Sequence, residues 1–151
     1  LYNTSDSHKK IAIAVAAMWR QVLGVKTVFR NEEWKLYLNA RSKRQFTLMR
    51  ASWIGDYNDA STFLNLLRSD IGVMNPSSWK NTDYDGLMRQ AETETNAAKR
   101  ESIMQTAERM MLEDTPIIPL YHFTANHLVN PAIKGWKNNV MDTHSSRFLS
   151  K

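Results

Sequence analysis

The chain has 151 residues, of which 42% are hydrophobic and 23% are charged, with a formal net charge of +5. These proportions are ordinary for a globular domain and argue against a disordered chain or a coiled coil. The chain contains no cysteine, which excludes disulfide bonds and thiolate chemistry but does not identify a compartment.

The positive charge is compatible in principle with nucleic acid. However, the basic residues are spread over separate predicted helices at Lys9-Lys10, Arg41 to Arg44 and Lys99-Arg100, so solvated surface explains them better. No apolar run reaches the roughly 18 residues of a membrane-spanning helix, and no basic leader opens the sequence. Residues 1–4 resemble the end of a strand, from which we expect a fragment or a processed piece.

The first predicted helix begins at the capping sequence Ser5-Asp6-Ser7 and ends at Gly24. Its apolar residues recur at spacings of three and four, which predicts one buried face of Ile11, Ala14, Val15, Met18 and Val22. A strand is predicted over residues 25–30. Asn31-Glu32-Glu33 then supplies the cap and the acidic first turn of a second helix.

The second helix places Trp34, Tyr37, Leu38 and Arg41 on one face. An arginine in line with aromatic side chains can reach toward a ligand. Packing of its stem on the core with the guanidinium in water is the commoner arrangement.

The remaining elements alternate between strands and helices. A strand is predicted over residues 46–49, a short helix capped by Asp59-Ala60-Ser61 over 61–67, a long loop over 69–79, and helices that begin at Asp83 and after Asn96. The last of these helices should bury Ile103, Ala107, Met110 and Met111. A strand at 116–123 precedes a tail with one short strand near Leu128. This order predicts an α/β fold with a mixed, mostly parallel sheet flanked by helices.

The stretch from Arg50 to Asn58 carries the strongest indication of a binding site, because it follows a predicted strand and contains a glycine turn. Asp56 could hold a cation such as an ammonium group, Trp53 could supply an apolar or cation-π wall, and Arg50 could pair with a carboxylate. A structural role is the alternative. A tryptophan in such a segment is more often part of the core, and an aspartate after glycine more often bonds its own backbone.

Motifs for catalysis were not found: the chain has no glycine-rich phosphate loop, no Gly-x-Ser-x-Gly elbow and no His-Glu-x-x-His pair. His122 and His127 could share a metal ion only with a third partner, so packing or exposure is the preferred interpretation. We therefore expect no enzyme, no cofactor and no metal site.

Several segments, taken in order, form a pattern: residues 1–14, Leu23-Gly24-Val25, Glu33-Trp34-Lys35, residues 50–53 with Asp56-Tyr57-Asn58, Phe63-Leu64, and residues 116–121. This pattern resembles the C-terminal lobe of the periplasmic oligopeptide-binding proteins, the solute receptors of peptide ABC importers, a family that includes the murein-peptide receptor. The most specific part is Trp53-x-x-Asp56-Tyr57-Asn58, which has the family's order of residues.

The resemblance implies that Asp56 binds the α-ammonium group of a peptide and that the backbone from Ser52 to Ile54 pairs with the peptide as an added strand. It also implies that Trp34 and Trp53 line side-chain pockets. Arg41, Arg50 and His8 match positions that meet a carboxylate, and Tyr57 and Asn58 complete the ligand-binding set.

The resemblance further implies a two-lobed receptor, with a peptide-binding lobe at 1–123 and a connection toward the other lobe at 124–151. The expected location is the periplasm, and the expected partners are a peptide, the N-terminal lobe and the importer's permease, without nucleic acid. Two alternatives stay open. One is a receptor for murein peptide or another solute of the same superfamily, and the other is a basic nucleic-acid-binding module.

Overall fold

A computed structural model describes all residues from 1 to 151. The chain divides into two compact units. The first unit comprises Leu1–Trp53 and Leu66–Thr82, and the second comprises Ile54–Asn65 and Asp83–Lys151. None of its helices combines the length and the apolar character that crossing a membrane requires.

The first unit contains a parallel pair of short strands with a helix after each. Strand β1 (Tyr2–Asn3) pairs with β2 (Asn31–Glu32), and Tyr2 lies opposite Asn31. Helix α1 (Asp6–Leu23) connects them, and helix α2 (Trp34–Ser42) begins just after β2. The first turns of both helices therefore follow the carboxyl ends of neighbouring parallel strands, which is where α/β folds place ligands.

The ends of these helices follow from local chemistry. Gly24 ends α1 in a left-handed conformation, with φ of 67°, and its N–H donates to the carbonyl of Arg20. The N-cap of α2 is Glu33, whose side chain accepts from the Lys35 N–H. The prediction that Asn31 and Glu32 belong to the cap and first turn was wrong, because both residues pair with β1 instead.

The buried face predicted for α1 was only partly correct. Ile11 and Val15 are half-buried, whereas Ala14 is exposed and the side chains of Met18 and Val22 are 61% and 76% exposed. Periodicity identifies residues that share a face, but it does not supply the surface that covers them. The first unit does not cover the C-terminal half of this face.

Three predicted strands, at residues 25–30, 46–49 and 116–123, are not regular strands, and Leu128 is fully exposed instead of lying in a strand. The nearest to a strand is the segment 48–50, which exchanges backbone hydrogen bonds with Leu1 in a parallel pattern. Apolar and β-branched runs mark segments able to join a sheet, but a strand also needs a neighbour with free N–H and C=O groups. This chain does not supply those neighbours.

The second unit is built on three helices: α3 (Ser61–Leu64), α4 (Thr82–Thr93) and α5 (Ala97–Asp114). Its core consists of side chains that are at most 8% exposed, namely Leu64, Tyr84, Met88, Ala91, Ile103, Met104, Ala107 and Met111. Tyr84 is fully buried and its hydroxyl donates to the carbonyl of Leu64 at 2.6 Å. The prediction for α5 placed Met110 in this face, but Met104 takes the position and Met110 is half-buried.

One guanidinium links three segments of the second unit. Arg100, on α5, binds both carboxylate oxygens of Asp59 at 2.5 and 2.9 Å, and its Nε donates to the carbonyl of Ala91 on α4 at 3.0 Å. Asp59 also accepts from the backbone N–H of Ser61, at the start of α3. The hydrogen bonds from Arg100 hold the pKa of Asp59 far below its usual range.

We expect Asp59→Asn to lower the free energy of unfolding at neutral pH by about 1–2 kcal/mol, allowing for partial exposure of the pair. The pKa of Asp59 is lower in the folded state than the 3.8 expected of the unfolded chain. The carboxylate therefore stabilises the fold above that pH, and this contribution is lost as the pH falls below it.

Urea unfolding at several pH values measures this effect. The difference between Asp59→Asn and the unmodified protein should shrink as the pH is lowered through 3.8. Glu113→Gln, an exposed carboxyl without an ion pair on α5, is the matched control and should have little effect at any pH. A difference for Asp59→Asn that does not change with pH would contradict this assignment.

Candidate functional site

The carboxylate of Asp56 is exposed and is held by Thr62 in the second unit. The Asp56 N–H donates to the Thr62 hydroxyl at 3.0 Å, and that hydroxyl donates to Asp56 Oδ2 at 3.3 Å. Thr62 lies on α3 and is only 4% exposed. The other carboxylate oxygen, Oδ1, has no partner in the chain, so it is free to accept from a cation.

Gly55 allows the backbone to approach α3 closely. A Cβ atom at this position would lie 3.2 Å from Thr62 Cγ2 and 3.3 Å from the Phe63 ring. Both separations are tighter than ordinary carbon contacts. Glycine at 55 therefore brings the N–H of Asp56 within reach of the Thr62 hydroxyl.

Asp56 and Asp59 have different roles despite their proximity in sequence. Asp59 accepts from a backbone N–H and pairs with Arg100, as expected of a structural turn aspartate. Asp56 accepts only from the Thr62 hydroxyl. No pattern in the sequence indicated Thr62 or Arg100 as supports of this turn. The Asp59-x-Ser61 spacing indicated only the capping role of Asp59.

The residues around Asp56 are open to solvent. Tyr57 is 48% exposed and its hydroxyl lies 3.1 Å from the Ser61 hydroxyl, whereas Asn58 is exposed and makes no hydrogen bond. Ile54 is 80% exposed. The backbone N–H and C=O groups of Ser52, Trp53 and Ile54 make no hydrogen bond within the chain. Unpaired backbone groups in an exposed segment can accept a strand from another molecule.

In the first unit, Tyr37 connects an exposed indole to the segment before Trp53. Trp34 is 53% exposed and stacks on Tyr37, with ring centroids 5.5 Å apart. Tyr37 is buried and its hydroxyl donates to the carbonyl of Arg50 at 2.9 Å. Burial raises the pKa of Tyr37, opposed by the charges of Arg41 and Arg50. Trp53 is half-buried, and its indole N–H is enclosed without a hydrogen-bond partner.

Three basic side chains of the first unit have no acidic partner. His8 lies in the first turn of α1 and its Nδ1 is buried without a hydrogen bond. Burial, and then the charge of Arg50, lower the pKa of His8. Arg50 itself makes no ion pair, and Arg41 makes only one long contact, from Nη2 to the carbonyl of Met74 at 3.4 Å. A carboxylate is the kind of group that such unpaired donors can bind.

The structure thus brings His8 and Arg50 within electrostatic range of each other in the first unit. It also joins Trp34, Tyr37 and Arg50 through stacking and one hydrogen bond. In the second unit it places Asp56 and Tyr57 on the turn that α3 supports. The predicted roles of all ten residues in ligand binding stay predictions.

The sequence of this chain is similar to those of bacterial solute-binding proteins. The family described as bacterial extracellular solute-binding proteins, family 5 Middle, matches residues 1–75. The periplasmic murein peptide-binding protein MppA of Escherichia coli K12 is 45% identical over 150 residues, which are 99% of this chain and 28% of that protein. The probable deoxycholate-binding periplasmic protein YgiS of the same organism is 43% identical over 135 residues, 89% of this chain and 25% of that protein.

Solved structures agree. The murein tripeptide-binding protein MppA of Escherichia coli matches 98% of this chain and 29% of its own, with a TM-score of 0.88 and 44% identity. Haemophilus influenzae OppA in complex with RPPGFSPFR matches the same shares, with a TM-score of 0.87 and 33% identity. The chain therefore spans little more than a quarter of the length of these proteins. These likenesses, with the parallel β1–β2 pair and its helices, confirm the predicted α/β fold of a binding-protein lobe.

The coupling between His8 and Arg50 can be measured directly. In Arg50→Gln we expect the pKa of His8 to rise toward its ordinary value of 6.5, but only in part, because burial is the larger cause of its lowering. An NMR pH titration of the His8 ring protons reports this shift. Arg20→Gln, in the last turn of α1, is the control and should leave the midpoint unchanged. An unchanged midpoint in Arg50→Gln would show that the two groups do not interact.

Proposed function

We propose that this chain belongs with family 5 of the bacterial extracellular solute-binding proteins and is the C-terminal lobe of a periplasmic receptor that binds peptides for an ABC importer. The observation that supports this most directly is the carboxylate of Asp56, which keeps one oxygen free on a turn that Thr62 and Gly55 hold in place. The proposed activity is binding and delivery of a ligand, without catalysis.

In this proposal Asp56 receives the α-ammonium group of the peptide. An ammonium group that is withdrawn from water needs a fixed counter-charge, since leaving it unpaired costs several kcal/mol. Thr62 orients the carboxylate before the ligand arrives, so less conformational freedom is lost on binding. Asp59 cannot serve this purpose, because Arg100 already neutralises it.

The backbone from Ser52 to Ile54 binds the peptide as an added strand. Its N–H and C=O groups make no hydrogen bond within the chain, and main-chain pairing gives affinity without selecting particular side chains. The side chains around this segment would then determine which ligands bind. We propose that Trp34 and Trp53 contact ligand side chains.

The unpaired basic groups supply the complementary charge for carboxylates. We propose that His8, Arg50 and Arg41 bind the C-terminal carboxylate or an acidic side chain of the ligand. A carboxylate next to His8 would offset the charge of Arg50 and raise the pKa of the imidazole. Tyr57 and Asn58 add donors and acceptors near Asp56.

Affinity should depend on the rest of the receptor as well as on this lobe. The chain spans little more than a quarter of its relatives, so further ligand contacts, the periplasmic location and the docking to a membrane permease belong to the proposal for the whole protein. Residues 1–123 are proposed as the ligand-binding part and 124–151 as the connection.

Two further classes of ligand differ in whether they would use Asp56 and the basic groups. The 45% identity to MppA favours a murein peptide as the ligand, whose amine and carboxylates would use Asp56 and the basic groups alike. The 43% identity to YgiS favours an anionic solute such as deoxycholate, which has a carboxylate but no ammonium group and would not need Asp56. Nucleic acid ranks behind both, because the basic residues are dispersed.

We expect Asp56→Asn to weaken the binding of free-amine peptides by about 2 kcal/mol or more, which is a loss of about 30-fold or more in affinity. The probes are alanine peptides of two to five residues and a murein tripeptide, each with its N-acetylated form. Calorimetric titration of the intact receptor containing this chain provides the measurement.

The N-acetylated peptides should bind weakly to the unmodified receptor and be nearly insensitive to the substitution. Glu108→Gln removes an equal charge from an exposed position on α5 and should leave all affinities unchanged. Equal losses for free and acetylated peptides would exclude the ammonium role of Asp56.

A further inference from the structure

Two histidines and an aspartate converge in the last part of the second unit. The Nε2 atoms of His127 and His144 lie 2.6 and 3.0 Å from the same oxygen of Asp142, Oδ1. All three ligand atoms lie within 4.8 Å of one another. From the sequence alone, His127 had only His122 as a neighbour to consider, because its actual partners are 15 and 17 residues further along the chain.

A short turn presents Asp142 and His144 together. Asn139 binds Thr143 twice, since its Nδ2 donates to the Thr143 carbonyl at 3.0 Å and its Oδ1 accepts from the Thr143 N–H at 3.1 Å. Asp142 adopts a left-handed conformation with φ of 50°, and its N–H donates to the carbonyl of Asn139. The turn thereby places residues 142 and 144 on the same side.

Aromatic contacts fix the imidazole rings. Trp136 stacks on His144, with centroids 3.8 Å apart and planes inclined by 14°. His127 meets the edge of Trp136 with a centroid distance of 5.1 Å. The side chain of His144 is only 12% exposed and that of His127 is 33% exposed. Both rings are therefore restrained while their Nε2 atoms converge on Asp142.

We propose that His127, Asp142 and His144 form a binding site for a divalent transition metal of the Zn²⁺ class. Two imidazoles and one carboxylate are a set of ligands that zinc accepts in proteins, whereas Mg²⁺ and Ca²⁺ prefer oxygen ligands alone. Ligand bonds of about 2.0–2.2 Å in tetrahedral geometry require donors roughly 3.3 Å apart. Each Nε2–Oδ1 distance, now 2.6 or 3.0 Å, needs to lengthen by less than about 1 Å to reach that geometry. The two Nε2 atoms are at most 4.8 Å apart, so they need to approach by no more than about 1.5 Å. The exposed Asp142 is able to move.

Solvent can reach the cluster, because the side chain of Asp142 is 45% exposed. A groove of about 540 Å³ lies alongside the cluster, and its walls include His127 and Trp136 together with Asn126, Asn130 and Lys151. Water or a group from another molecule can complete the coordination from this side. Both Nε2 atoms must be deprotonated to bind the metal, with the remaining ring proton carried on Nδ1.

The experiment uses the longest natural form of the protein that contains this chain, stripped of metal and titrated with Zn²⁺ at buffered free concentrations through the micromolar range. We expect one Zn²⁺ to bind at this site. His144→Gln and His127→Gln should each weaken binding by more than about tenfold, since even outer-shell substitutions cost that much. Asp142→Asn removes the charged metal ligand but keeps an oxygen that can accept a hydrogen bond from either imidazole. It therefore distinguishes the loss of the metal ligand from the loss of the turn.

His122→Gln is the matched control, because His122 belongs to the same segment but lies outside the cluster, and it should leave binding unchanged. In NMR spectra, Zn²⁺ should shift the ring signals of His127 and His144 but not those of His8 and His122. Circular dichroism checks that each variant remains folded. Absence of binding in this range, or binding that survives both His144→Gln and Asp142→Asn, would overturn the proposal.

Discussion

The guanidinium of Arg100 links three segments of the second unit next to the turn that carries Asp56. It binds Asp59 through two hydrogen bonds and the end of α4 through the carbonyl of Ala91. Asp59 in turn accepts from the N–H of Ser61, at the beginning of α3. Because the segment 54–59 leads directly into that helix, Arg100 helps to fix its position, together with the contacts of Gly55 and Thr62.

Because Arg100 pairs with only one of them, two aspartates separated by three positions have different roles. Asp59 is paired and contributes to stability, whereas Asp56 is exposed and carries a free oxygen. Arg100 pairs with Asp59, whereas the buried hydroxyl of Thr62 accepts from the N–H of Asp56 and donates to one oxygen of its carboxylate. A preorganised carboxylate of this kind suits recognition of a cation at low entropic cost. The basic groups His8, Arg41 and Arg50 in the first unit have no acidic partner, so they can attract an anion.

Elements whose sequence signals are local could be predicted. Gly24 and Asn96 marked helix ends, and the spacing of Ile103, Ala107 and Met111 predicted the buried face of α5. Features that depend on distant residues could not be predicted. The segment 116–123 is apolar but finds no strand to pair with, and His127 meets Asp142 and His144 through a turn that no pattern indicated. The sequence indicated the glycine turn at residues 50–58 as a candidate site, and its role in ligand binding stays a prediction. The contacts of Thr62 and Arg100 that support this turn were found only in the structure.

A crystal structure of the longest natural form of the protein that contains this chain, with a bound free-amine peptide, tests the central claim most directly. The distance to be measured joins the peptide's terminal nitrogen to the nearer carboxylate oxygen of Asp56. A distance of about 2.7–3.2 Å, with the hydroxyl of Thr62 still bound to the other oxygen, is the result that this account predicts. A terminal ammonium group bound elsewhere, with the Asp56 carboxylate more than about 4 Å away, would contradict it.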